Sequence, residues 1–228
     1  MILNVYSQPK RWMDPMKNYL SEFIGTSFLL MIVVGSGIMG QNLSNDNSII
    51  LLANTVATGS GLIVLIWMMG SISGAHFNPA VSMIFYFKKQ LSGKDFMGYS
   101  LSQILGASCG TLLANFMFGL EIYELSQNSR GGINIYISET IATFGLVLVI
   151  LRVSAFRSEL VAPAVGLYIT SAYWFTSSTS FANPAVTIGR MFSDTFTGID
   201  PANVIFFILF QLIGAYLAFK INNILSEA

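Results

Sequence analysis

The 228-residue sequence predicts an all-α membrane protein of six transmembrane helices plus two re-entrant half-helices, arranged as an inverted repeat. Three observations predict it. First, 54% of residues are hydrophobic and only 10% are charged, whereas soluble domains carry about 25% charged residues. A soluble fold of this size would expose large apolar patches. Second, the few charges leave long uncharged runs between them. Third, the two halves of the chain repeat each other motif by motif.

The elements follow in order from these runs. Uncharged stretches cover residues 23–45, 47–87, 96–120, 160–189 and 202–219, and residues 133–151 hold a single charge, Glu139. A spanning helix needs about 20 predominantly apolar residues. Spans are therefore expected near residues 18–40, 49–70, 96–118, 133–152, 160–175 and 203–222. The 41-residue run 47–87 is too long for one helix and too short for two with an ordinary turn. After Gly70 it becomes Ser/Gly-rich and then reads His76-Phe77-Asn78-Pro79-Ala80-Val81. Run 160–189 has the same shape, a span followed by polar residues and then Phe181-Ala182-Asn183-Pro184-Ala185-Val186. Both tails are read as re-entrant segments.

The repeat is explicit. Ser21-Glu22-Phe23 recurs as Ser138-Glu139-Thr140, offset by 117 residues. Asn78-Pro79-Ala80-Val81 recurs as Asn183-Pro184-Ala185-Val186, offset by 105, and Gln103-Ile104-Leu105-Gly106-Ala107 as Gln211-Leu212-Ile213-Gly214-Ala215, offset by 108. The chain reads as one domain, residues 1–228, with a first repeat over about 18–118 and a second over about 133–224. Three spans per repeat, an odd number, insert the second repeat upside down, so the boxes descend from opposite faces and meet near the midplane. Nine basic residues, Lys10, Arg11, Lys17, Lys88, Lys89, Lys94, Arg152, Arg157 and Lys220, fall on one side, against Arg130 and Arg190 on the other. Basic residues concentrate in cytoplasmic loops, so both termini are expected inside, and no cleavable signal pattern is read at the N-terminus.

The boxes have a definite chemistry. Pro79 and Pro184 suit the first turn of a helix, where a missing N–H costs nothing, with Asn78 and Asn183 as N-caps. Each short helix would turn its positive end toward the bilayer centre. Two such ends with two Asn amides make a donor-rich waist that accepts polar neutral solutes and opposes cations. A lone Asn-Pro-Ala marks only a turn; two inside an inverted repeat argue for a site.

On these residues the sequence, from about 18 to 224, resembles the aquaporin (major intrinsic protein) family. The stretch Ser73-Gly74-Ala75-His76-Phe77-Asn78-Pro79-Ala80-Val81, the second box at Asn183 and the intramembrane Glu22 and Glu139 carry the likeness. It implies a homotetramer whose protomers each hold a pore, with small neutral solutes, water and the lipid bilayer as partners. It also implies that Glu22 and Glu139 brace the re-entrant loops and that His76 lines the pore toward the cytoplasm. Gly106-Ala107 and Gly214-Ala215 are read as close-packing positions between helices, and Cys109 as a buried thiol.

The sequence departs from the family at the outer constriction. Three residues after the second Asn, where most relatives carry arginine, stands Val186. Carried over by position, the other filter residues are Thr58 and Ser180, with Tyr173 favoured by helix alignment and Ser171 by plain counting. Thr58, Tyr173, Ser180 and Val186 form an uncharged filter, expected to be wider than a water-only constriction. Arg190, one turn beyond Val186, is read as a solvated residue pairing with Asp194, the alternative being that it leans back to the outer mouth. The stretch over residues 181–199 is most similar to a bacterial branch associated with arsenic resistance. That likeness implies an aquaglyceroporin passing glycerol-type polyols and undissociated arsenous acid or methylated arsenicals, in a bacterial inner membrane.

Other classes fit less well. No acid–base pair or nucleophile constellation appears within the pore-forming segments, so an enzyme is not expected, and no cofactor is called for. Zero net charge without a basic cluster removes the footprint of nucleic-acid binding. One Cys109 and one His76 exclude a disulfide framework or a zinc site of those residues. The remaining rivals are a water-selective pore, a coupled secondary transporter, which would need ionisable groups on the substrate path, and a closed junction-type protein.

Overall fold

The computed structural model describes residues 15–226, of which the long segments are all helical. The expectations at Lys10 and Arg11, and the outermost ends of the expected domain, lie outside the described residues. Helix α1 (Pro15–Leu43) is followed by α2 (Asn47–Met69), a half-helix α3 (Pro79–Phe87) and α4 (Gly93–Met117). The second repeat supplies α5 (Ile133–Phe156), α6 (Val161–Phe175), half-helix α7 (Pro184–Arg190) and α8 (Pro201–Ser226). Helices α1, α2, α5 and α8 are long and apolar enough to cross a bilayer on their own. Helix α4 is diluted by Gly, Ser and Asn, and α6 has 15 residues, extended at its start by a 3-10 turn over Ser158–Leu160. Together they make six spans and two half-helices.

Local chemistry sets the ends. Asp46 caps α2 through the Ser48 N–H, and Ser92 caps α4 through the Asp95 N–H. The half-helices start where proline permits it. Pro79 and Pro184 occupy the first turn, and Asn78 and Asn183 are the N-caps in extended conformation.

The packing repeats with the sequence. Helix α1 lies mainly on α4 and α5 on α8, at contacts that glycine makes possible. A Cβ on Gly106 would lie 2.4 Å from the Phe23 carbonyl oxygen, and one on Gly214 would lie 2.3 Å from that of Thr140. Phe23 and Thr140 carry the same 117-residue offset as the two glutamates. The glycines thus serve close backbone approach, which is how apolar helices associate inside a membrane. The opposite face of α8 exposes Ile205, Leu209, Ile213 and Tyr216, an apolar stripe facing outward. Cys109, on α4, is half-buried rather than buried.

Candidate functional site

The loops that lead into the two boxes hold backbone that L-residues rarely adopt. Ala75 and Phe77 have φ of 52° and 50°, and Ser180 and Ala182 have φ of 50° and 48°. Each pair is separated from its counterpart by the 105-residue offset of the boxes. A left-handed non-glycine residue costs roughly 1–2 kcal/mol, so something must hold these segments.

The buried glutamates do. Glu22 accepts hydrogen bonds from the backbone N–H groups of His76 (3.0 Å) and Phe77 (2.6 Å), from Ser73 Oγ (2.5 Å) and from Gln103 Nε2 (2.8 Å). Glu139 accepts from the N–H groups of Phe181 and Ala182, both 2.9 Å, and from Gln211 Nε2 at 2.6 Å. Both carboxylates are fully buried, and charge-assisted bonds are about twice as strong as neutral ones. Gln103 and Gln211 also reach the half-helices, at Ser82 Oγ (3.0 Å) and Thr187 Oγ1 (2.9 Å). Sequence reasoning missed these two glutamines as part of the brace. Their place in the repeat beside Gly106 and Gly214 was the available signal.

The N-caps meet where the loops end. Asn78 Oδ1 accepts from the Ala80 N–H, while its Nδ2 donates to the Ala182 carbonyl at 2.8 Å. Asn183 Oδ1 accepts from the Ala185 and Val186 N–H groups, and its Nδ2 donates to the Phe77 carbonyl at 2.8 Å. Each acceptor is thus committed to its own helix, and each amide nitrogen keeps a second N–H. Both asparagines line a single cavity that also touches His76 and Phe85 on one side and Thr58, Tyr173 and Val186 on the other. His76 is half-buried, its Nδ1 3.1 Å from Ser82 Oγ and its ring 4.4 Å from that of Phe85.

Of the residues expected at the outer constriction, Thr58, Tyr173, Ser180 and Val186 all line this cavity and are buried. The Tyr173 hydroxyl donates to Thr58 Oγ1 at 3.3 Å, which ties α6 to α2. Ser171 is exposed on another face of α6, where it donates to the Tyr168 carbonyl.

Arg190 requires a correction. It is not solvated and does not pair with Asp194. It is 2% exposed, lines the cavity and donates from Nε to the Thr197 carbonyl. Asp194 instead accepts from the Gln127 N–H (2.9 Å) and Ser126 Oγ (3.3 Å). The reason is local: α7 ends at Arg190, so the four-residue spacing to Asp194 does not lie on a helix. The Arg190 guanidinium sits 3.4 Å from the centroid of the Phe181 ring. Arg130, from the segment between α4 and α5, lies 5.1 Å from the same ring and donates to the Gly198 and Phe196 carbonyls. Burial pushes its guanidinium down to about 10, which leaves it cationic at neutral pH. Sequence reasoning missed Phe181 altogether.

Six spans, two half-helices capped by paired asparagines and a cavity joining the caps define a membrane protein of the channel class. Comparison with known proteins agrees. Residues 10–173 match the major intrinsic protein family, and the chain belongs to that family. It is 46% identical to aquaglyceroporin AqpS of Rhizobium meliloti over 94% of this chain and 92% of that one. It is 27% identical to aquaporin AqpM of Methanothermobacter thermautotrophicus, over 89% of this chain and 94% of that one. Its fold superposes on the aquaglyceroporin from Plasmodium falciparum with a TM-score of 0.73 at 21% identity, covering 91% and 95% of the two chains. The protein is thus a multi-pass membrane protein of a family of channels, not enzymes.

Proposed function

We propose that the chain is a passive channel for small uncharged solutes, namely water, glycerol-type polyols and undissociated arsenous acid or methylated arsenicals. The observation that carries the reading is the pair of Asn78 and Asn183 amides, oriented by their own half-helices, on one cavity with apolar walls. A solute that sheds its water there receives N–H donors from both asparagines, while the half-helix ends oppose cations. The cavity-lining residues Leu62, Ile66, Val161 and Val165 offer no hydrogen bonds, so the solute is held weakly and leaves. Thr58, Tyr173, Ser180 and Val186 act as the filter, His76 as a wall residue on the cytoplasmic side, and Glu22 and Glu139 as loop braces. The glycerol and metalloid assignment rests on Val186, which occupies the place of a long cationic side chain with a short apolar one, and on the likeness to an aquaglyceroporin.

The same reading makes the assembly a homotetramer in a bacterial inner membrane with both termini cytoplasmic. Lys88 and Lys89 follow α3, and Arg152 near the end of α5 reaches Ser226 at the end of α8, which gathers basic residues at one face. Uptake and swelling of vesicles holding the purified protein, with water, glycerol and arsenous acid, tests the reading. Flux along each solute's gradient, unaffected by proton or sodium gradients, is expected. Gradient-coupled uptake would make it a carrier, water flux alone a water-selective pore, and zero flux a closed structural protein.

A further inference from the structure

The outer end of the cavity holds a cation that its expected filter positions lack. Thr58, Tyr173, Ser180 and Val186 carry no charge, yet Arg190 lines the same cavity one helical turn beyond Val186. Its Nη1 is buried and has no hydrogen-bond partner among the described residues. A buried charge with an unused donor is costly, and natural structures keep one where it has a task. Here the planar ion is held on three sides. The Thr197 carbonyl accepts from Nε, the Phe181 ring stacks against the guanidinium, and α7 fixes the stem. Arginine is suited to that placement because its ion is delocalised, weakly hydrated and stacks on aromatic faces. Lysine, a strongly hydrated point charge, is not.

The platform is also fixed independently of Arg190. The Phe181 N–H donates to Glu139 at 2.9 Å, and its ring packs edge-to-face on Phe207 with centroids 5.0 Å apart. Arg130, anchored by two backbone carbonyls, adds a second positive charge beside that ring. Val186 is buried and short, and it lines the same cavity as Asn183 and Arg190.

We propose that Arg190, stacked on Phe181, is the specificity-determining residue of the outer mouth, the group that rejects cations and gives N–H donors to oxygen-rich neutral solutes. Val186, one turn inward, sets the width. Charge and width, which a single arginine at position 186 would combine, are here divided between two residues. This inference rests on the reading of the chain as a passive channel for neutral solutes.

The test uses the full chain in vesicles, with Arg190→Gln as the principal variant, since glutamine can still donate to the Thr197 carbonyl. Methylammonium uptake, proton leak, water flux and glycerol flux are measured together. Loss of the charge is expected to raise methylammonium and proton permeability by about thirtyfold, the factor one like charge imposes at ~8 Å and an effective dielectric near 20. Glycerol flux should fall relative to water flux, since the guanidinium donors to its hydroxyls are lost. The double variant Val186→Arg/Arg190→Gln returns a guanidinium to the mouth and should restore cation exclusion while reducing glycerol flux. Unchanged cation permeability in a folded Arg190→Gln protein overturns the proposal. So does failure of both Arg190→Gln and Arg190→Leu to fold, which would make the residue purely structural. If the unmodified protein passes no solute, the channel reading itself fails, and that result is distinct from either.

Discussion

Gly106→Ala probes how tightly the frame of the site is set. The added Cβ would lie 2.4 Å from the Phe23 carbonyl oxygen and 3.1 Å from its carbonyl carbon and Cα. Backbone cannot swing away as a side chain does, so α4 must move off α1 by at least about 0.6 Å, and by ~1 Å for ordinary van der Waals contact. Overpacking of this kind costs typically 1–3 kcal/mol. The displacement also acts on the site, because Gln103 lies one turn before Gly106 on the same helix. Its bonds to Glu22 and Ser82, 2.8 and 3.0 Å, would stretch beyond useful length. The hydrogen bond from Ser27 Oγ to the Gly106 carbonyl would be strained as well. A loss of about 2 kcal/mol lowers Tm by roughly 4–8 °C in a chain of this size. Thermal unfolding followed by size-exclusion fluorescence, with vesicle swelling on the same preparations, reads both effects. Gly93→Ala is the control. Its Cβ would meet only Tyr86 Cε2 at 3.7 Å, and it should leave Tm and flux unchanged. A Gly106→Ala protein as stable and as active as the parent would refute the close-contact argument.

Three further outcomes follow from the site. Glu139→Gln keeps one acceptor oxygen but turns an N–H donor against the Phe181 or Ala182 N–H, removing at least one charge-assisted bond of about 1.5–3 kcal/mol. The left-handed loop should loosen, and water flux should fall with Tm; an unchanged pair of values would mean that the carboxylate does not hold the loop. Val186→Arg on the unmodified background should cut glycerol and arsenous acid uptake several-fold while water continues to pass, since it places a long side chain in the cavity that Tyr173 also lines. Equal glycerol uptake would show that Val186 does not set the width. Tyr173→Ala should widen solute acceptance and lower stability by roughly 2–4 kcal/mol, as a large buried aromatic leaves a cavity. Ser171→Ala, on an exposed face, should do neither, and comparing glycerol and larger polyols in the two variants checks the assignment.

The reach of the sequence differs between frame and site for physical reasons. Spans were legible because the bilayer imposes a length and forbids charge. The expected 49–70 and 133–152 correspond to Asn47–Met69 and Ile133–Phe156. Asn78, Asn183, Glu22 and Glu139 were legible because the repeat doubled each of them. The left-handed backbone at Ala75, Phe77, Ser180 and Ala182 left no trace in residue type. No glycine or asparagine stands at those positions, since glutamate bonds from another helix impose the conformation. Arg190 escaped for a related reason. Its distance from Asp194 in sequence suggests a helical pair, but a pair needs both residues on the helix, and α7 ends at Arg190. The chain then folds back so that the Thr197 carbonyl, seven residues on, takes the Nε proton. What decides the direction of that guanidinium is where the helix stops and which ring lies beside it. Neither is a property of local spacing. The low charge content of the chain therefore foretells the membrane but not the mouth of the channel, where a buried charge stands beside residues that are themselves neutral.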